Sequence, residues 1–219
     1  IIFGRNEVLK SDGTPYTVFT PYSKRWLEKL NTRQKQVRNE MGENQMVSFY
    51  LTSYPTEKYF SNFLKTNELG AEEASRVGAM PGLNDLGFQA SSIDFPSSVV
   101  LRGVVKNYDK TRDFPAVDGT SRLGIHFRFG TLSIREKARH ALGLNATFLN
   151  ELIWRDFYSQ ILAHFPHVAT QPFRLQYAHI EWRNAPQDFE TWCAGRTGYP
   201  IVDAGMRQLN ATGYMHNRV

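Results

Sequence analysis

Residues 150–158 read NELIWRDFY, and their spacing decides how the chain folds. Glu151, Trp154, Arg155 and Tyr158 stand at i, i+3, i+4 and i+7, so on a helix they share one face. Leu152, Ile153, Phe157 and Ile161 supply apolar surface elsewhere on the same helix. The periodic pattern extends from about Ala146 to His164 and ends before Pro166, which cannot continue a helix. One face then offers a carboxylate, an indole, a guanidinium and a phenol, a set suited to gripping a planar heteroaromatic ligand. The ordinary alternative is a Glu151–Arg155 helix pair beside two core aromatics.

The sequence around this helix is also helical. Upstream, Ser133 and Glu136 have capping-box spacing before REKARHAL, and Gly143 stops that helix. DGTSRLG (118–124) places small residues and hydroxyls where a loop runs into a helix near Leu123, a junction that can receive phosphate oxygens or be an ordinary N-cap loop. SSVVLRGVVKNY (97–108) is amphipathic. Downstream, TGYPIVDAGMRQLNATGYMHNRV (197–219) predicts a helix from about Pro200 to Ala211, stopped by Gly213. Trp182 falls in a polar loop, HIEWRNAP (179–186). The first 22 residues read instead as strand, turn and strand, with the turn at Asp12-Gly13. KRWLEKLN then places Trp26, Leu27 and Leu30 at helical spacing. Residues 31–95 are polar, with Gly78, Gly82 and Gly87 around Pro81, and predict a long connecting segment packed over a surface.

Composition narrows the function classes. The 219 residues are 41% hydrophobic and hold one cysteine, Cys193, so no internal disulfide can form. No run reaches the ~20 apolar residues of a membrane span, and IIFGRNEVLK lacks the order of a signal peptide. The first 95 residues carry 11 Lys+Arg and 11 Asp+Glu, whereas residues 96–219 carry 15 against 10, and 12 of those 15 are arginines. Arginine forks match phosphates and stack on flat rings, which directs attention to nucleic acid or a phosphorylated cofactor. No Walker or G-x-G-x-x-G pattern occurs. No metal site is expected: His164 and His167 straddle Pro166, and Cys193 has no partner.

Five stretches, PYTVFTPYSKRW, RDFPAVDGTSRLG, NELIWRDFY, HIEWRNAP and the 197–218 run, occur in one order that resembles the cryptochrome/photolyase family, specifically its DNA photolyases acting on cyclobutane pyrimidine dimers. The resemblance implies a mainly α fold: residues 1–30 as a short β/α remnant of an antenna domain, 31–95 as an interdomain linker, and 96–219 as the first part of a helical FAD-binding domain. It implies light-driven repair, in which reduced FAD passes an electron to a dimer flipped out of the duplex. An antenna chromophore of unspecified identity belongs to the same scheme. Damaged DNA is the implied partner, with no membrane and no obligate protein partner. The implied location is the cytoplasm, with the nucleoid.

By motif, Tyr108, Thr120, Ser121, Arg122, Leu123, Phe148, Arg155 and Asn217 correspond to flavin-contacting positions. Glu151 and Trp154 correspond to the pair facing the dimer, the acid by hydrogen bonding and the indole by stacking. Asn217 is implied close to flavin and lesion, and is grouped with Glu151 and Trp154 as catalytic. Arg112 and Arg218 correspond to DNA contacts, alongside Glu151, Trp154 and Asn217. Trp182 resembles the outermost member of an electron-delivering tryptophan chain. His216-Asn217-Arg218 favours the cyclobutane-dimer subtype over a DASH-type photolyase, and Glu151 and Trp154 argue against a cryptochrome-type photoreceptor. Two positions depart from the family pattern: Gly124 where Ser is frequent, and Phe148 where Trp is frequent. The resemblance covers about half of a flavin domain, so weak FAD retention, an inactive fragment and exposed apolar surface are expected.

Overall fold

The computed structural model describes residues 1–38, 44–52, 56–62, 82–89, 92 and 94–219. Eight α-helices occur among them: α1 (Phe19–Asn31), α2 (Arg102–Lys106), α3 (Tyr108–Thr111), α4 (Gly124–Phe129), α5 (Ile134–Leu142), α6 (Ala146–His164), α7 (Pro186–Cys193) and α8 (Pro200–Thr212). Two strands, β1 (Gln34–Arg38) and β2 (Asn44–Ser48), pair antiparallel in the register Gln34↔Ser48 to Arg38↔Asn44. The fold is thus mainly α, as the sequence predicts. The chain divides into two compact units, one of residues 1–52 with 95–219 and one of residues 53–94. In the second, the described residues include a 3-10 helix, Thr56–Asn62, and a turn over 82–87 closed by Leu86 N–H to Gly82 O and by Gly82 N–H to Asp85.

In the first unit the 19-residue α6 is the central element. Its start is fixed by Asn145, whose side-chain oxygen accepts from the Phe148 N–H at 3.0 Å while its amide donates to Lys106 O and Asp109. Its buried face, Phe148, Leu149, Leu152, Ile153 and Phe157, packs with Tyr22, Trp26 and Leu30 of α1 and with Ala138 and Ala141 of α5. The α1 residues are spaced i, i+4, i+8, one stripe of a helix. Burying such aromatic and aliphatic side chains contributes about 1.5–3 kcal/mol each.

The polar anchor of this core is Asp156, fully buried on α6. Its carboxylate accepts from the backbone N–H groups of Ile2 and Phe3 at 3.0–3.2 Å and from Trp26 Nε1–H at 3.1 Å. Burial pushes its carboxyl pKa up, against the opposing pull of these three donors. The capping box at α5 forms on its N-cap side: Ser133 Oγ accepts from Glu136 N–H. Gly143 caps that helix, and Gly213, at φ 70°, caps α8.

The structure corrects several sequence expectations. The turn at Asp12-Gly13 is present, with Asp12 accepting from the Thr14 N–H and hydroxyl, but its flanks meet in a single bridge, Leu9↔Pro15. The second expected strand is replaced by the start of α1 at Phe19. Burial of Tyr22 against α6 outweighs the β preference of its β-branched and aromatic neighbours. Within the expected connecting segment, β1 and β2 form a hairpin. Gly78 and Pro81 lie outside the described residues. The amphipathic stretch 97–108 is helical only from Arg102, and Asn107 breaks it before α3. The sequence reading did not assign α7, which starts on Pro186 without a side-chain cap.

Replacing Asp156 by Ala leaves three buried donors unpaired, at about 1–3 kcal/mol each. The expected loss is about 3 kcal/mol or more in a urea unfolding titration. Asp156→Asn, which keeps one acceptor oxygen, should lose less. A wild-type midpoint for Asp156→Ala contradicts this assignment.

Candidate functional site

On its side away from α1, α6 meets α3 and, through Glu151, the start of the loop 112–123, to which the C-terminal segment is tied by Arg218 and Tyr214. Glu151 projects from α6 and pairs with Arg112 Nη1, which follows α3. Arg112 also lies 3.4 Å from Asp113. Asp113 in turn accepts from Arg218 Nε at 2.6 Å and stands 2.5 Å from Arg218 Nη2. Four charges from three separate parts of the sequence therefore form one chain, Glu151–Arg112–Asp113–Arg218. The hydrogen bond from Arg218 holds the Asp113 carboxyl below its ordinary pKa, and the Arg218 and Arg112 charges add to this. Burial acts to lower the Arg112 pKa, but the hydrogen bond and charge of Glu151 outweigh it and raise the net value. Tyr108 sits under this network: the Arg112 guanidinium lies 5.6 Å from its ring centroid, and its ring meets Phe148 edge-on at 5.2 Å. Burial, then the Glu151 charge, raises the Tyr108 pKa.

The loop 118–123 is built by close approach. A Cβ on Gly119 would overlap the Thr111 side chain, so the loop runs tight against α3. Thr120 Oγ1 and Tyr214 Oη share a hydrogen bond of 2.9 Å. Arg122, at φ 50°, pairs with Asp118 at 3.2 Å and lies 5.3 Å from the Tyr214 ring centroid. The half-buried Ser121 hydroxyl has no hydrogen bond to a described residue. The TGYPIVD stretch owes its form to Asp203, which accepts from the Thr197 N–H and hydroxyl, both at 2.7 Å, and from the Gly198 N–H. These bonds, the Thr197 hydroxyl foremost, lower the Asp203 pKa.

Not every expected residue joins this cluster. Arg155 does not pair with Glu151; it donates to Phe127 O at 3.0 Å. Trp154 stacks on Phe19 of α1, with centroids 3.5 Å apart and planes at 4°, and lies 5.5 Å from Tyr158. One indole face is therefore already covered. Leu123 and Phe148 line a cavity of 410 Å³ that also includes Arg102, Lys137 and His140. Asn217 is exposed beside the network and has no hydrogen bond to a described residue. Trp182 is 72% exposed and has no ring contact among the described residues. Among the described residues, no group of three or more His, Cys, Asp or Glu could hold a metal ion. No helix among them is long and apolar enough to cross a membrane.

Sequence reasoning missed Asp113, Tyr214 and Phe19. Asp113 follows Arg112 directly, so the pair was visible as neighbouring charges. Its link to Arg218, 105 positions away, was not.

Residues 148–219 match the FAD binding domain of DNA photolyase. Residues 148–219 are thus similar to the flavin-binding part of the photolyases, and the similarity to whole photolyases extends along the rest of the chain. The deoxyribodipyrimidine photo-lyase of Alkalihalophilus pseudofirmus is 32% identical over 98% of this chain and 43% of that protein. The enzyme of the same name from Escherichia coli is 31% identical over the whole chain and 45% of its own length. A class III photolyase from Agrobacterium tumefaciens superposes over the whole chain and 44% of that structure, with a TM-score of 0.61 and 25% identity. The chain thus spans less than half the length of these photolyase relatives.

The depressed Asp113 pKa gives the Asp113–Arg218 pair a defined acid limit. A carboxylate with a lowered folded-state pKa stays paired above the ordinary value of about 3.9 and loses its partner only as pH falls through the lowered value. The Arg218 Nε–H resonance should hold its position from pH 7 to about 4. Movement of that signal at higher pH contradicts the pairing.

Proposed function

We propose that the protein carries out light-driven repair of cyclobutane pyrimidine dimers in DNA, with FAD as its cofactor. The observation that carries the reading is the convergence of Glu151, Arg112, Asp113 and Arg218 beside the Thr120–Ser121–Arg122 loop. A phosphate-matching loop and a carboxylate framed by arginines meet at one surface, as a phosphorylated flavin and a damaged strand together require. The free Ser121 hydroxyl fits an anionic cofactor. So does the buried His216 Nε2, which has no partner while Nδ1 accepts the Arg218 N–H at 3.2 Å.

Reduced FAD, when bound, supplies the light-excited electron for ring opening. The chain's own residues bind and orient. Thr120, Ser121 and Arg122 would hold phosphate and ribitol oxygens, with Tyr108, Leu123, Phe148, Arg155 and Asn217 completing the cofactor contacts. Glu151, aimed by its pairing with Arg112, accepts N–H groups of a flipped pyrimidine. Trp154, its ring held between the neighbouring rings of Phe19 and Tyr158, is the indole that would stack on the lesion. Extruding bases costs a few kcal/mol, and stacking on an aromatic ring returns about 1–3 kcal/mol per base. Arg112 and Arg218 engage the strand's phosphates and Asn217 lies beside them. Trp182, exposed to solvent, is the proposed outer relay for electrons. Action on DNA sets the protein's place with the nucleoid in the cytoplasm.

The test is direct. Because these residues span less than half the length of the photolyase relatives, the full-length protein is mixed with excess reduced FAD and an oligonucleotide carrying one dimer, and the dimer content is followed under blue light and in the dark. Loss of dimers in light only is the expected result. Glu151→Ala should weaken binding of the dimer about tenfold, the scale of one hydrogen bond to a charged group. A signalling photoreceptor of the same family would leave the dimers intact under light, and that outcome overturns the reading.

A further inference from the structure

Arg112 and Arg218 lie 106 positions apart in sequence, yet both reach one carboxylate. Two guanidinium groups this close repel each other, and in a flexible loop they would splay apart. Asp113 removes that repulsion. It takes the Nε/Nη2 edge of Arg218 onto a single oxygen, Oδ1, and that same oxygen lies 3.4 Å from Arg112 Nε. Glu151 takes Arg112 Nη1. Arg112 Nη2 and Arg218 Nη1 are left without a hydrogen bond to a described residue. Each arginine has five N–H donors in a rigid fork, so both retain donors for an oxygen anion. Asp113 is more than half exposed and Arg218 about one third exposed, so the free Arg218 donor faces solvent, while Arg112, 22% exposed, lies partly covered beside it.

We propose that Asp113 is a positioning residue that fixes the Arg112 and Arg218 guanidinium groups side by side, as a clamp for neighbouring phosphates on the damaged strand. The inference rests on the DNA-repair reading above. Its physical signature is a pair of opposed effects. A carboxylate at a DNA-binding surface repels phosphate, so removing it favours binding to any DNA. Removing it also frees the two forks, which lowers the affinity for the one backbone geometry that the clamp fits. Charge alone and positioning therefore change affinity in opposite directions, and only positioning acts selectively.

The experiment measures dissociation constants by fluorescence anisotropy for two duplexes of identical sequence, one with a single cyclobutane dimer and one undamaged. Wild type is compared with Asp113→Asn, Asp113→Glu, Arg218→Lys and the double variant Asp113→Asn/Arg218→Lys. Asp113→Asn is expected to bind undamaged DNA as well as wild type or better. Its preference for the dimer should fall about tenfold, the scale of one charged hydrogen bond. Asp113→Glu restores part of the preference, because the carboxylate is retained. The double variant loses less beyond Arg218→Lys than Asp113→Asn loses from wild type, because lysine has no fork to position and only Arg112 remains for Asp113 to hold. Melting temperatures of all variants stay near wild type, since the carboxylate is a surface group. Undiminished preference in Asp113→Asn, with wild type discriminating normally, overturns the positioning role and leaves the repair reading standing. Absence of any preference in wild type overturns the repair reading, and the clamp with it.

Discussion

The Asp156 carboxylate is the constraint on which the other arrangements rest. It is buried on α6 and bound by two backbone N–H groups of the N-terminal segment and by the Trp26 indole. Those three donors come from two separate stretches, so one side chain fixes the N-terminus, α1 and α6 against each other. A helix turns about 100° per residue. Holding Asp156 inward therefore fixes the rotation of α6, and Glu151, five positions earlier, is turned toward Arg112. The same registration of α1 brings Phe19 flat onto Trp154. The buried polar group thus sets the direction of the candidate site residues on α6.

Local signals in the sequence were sufficient for α5, α6 and α8. Each combines an apolar stripe with a stop: Gly143, Pro166 and Gly213. The capping box at Ser133 was equally legible because a cap is a contact three residues long. The N-terminal region misled because the chemistry of YTVFTPY favours a strand in isolation, while Tyr22 has a buried place on α6. Only the tertiary partner decides between the two. The β1–β2 hairpin lacks an apolar alternation strong enough to be read in advance, and α7 has neither a side-chain cap nor a buried stripe.

The candidate site could be named in the sequence as residues but not as an arrangement. Glu151, Arg112, Arg218 and Thr120 could be named from their motifs, and the structure places all four around one surface. Their partners could not be named. An i, i+4 pairing of Glu151 with Arg155 was the simplest local expectation, but Arg112 takes the carboxylate instead. Arg155 turns to a backbone carbonyl at Phe127. Contacts between residues 39 to 105 positions apart leave no periodicity for sequence reasoning to detect. The network explains what holds these residues in place.

The central claim is that the surface shared by α3, the loop 112–123, α6 and residues 214–218 is where damaged DNA binds. Isotope-labelled protein titrated with a short duplex carrying one dimer, and followed by backbone and arginine side-chain resonances, tests this most directly. The account predicts that the largest shifts centre on Arg112, Asp113, Glu151, Trp154 and Arg218. Shifts concentrated instead on the cavity formed by Arg102, Lys137 and His140, with the Arg112–Arg218 network unmoved, would contradict it.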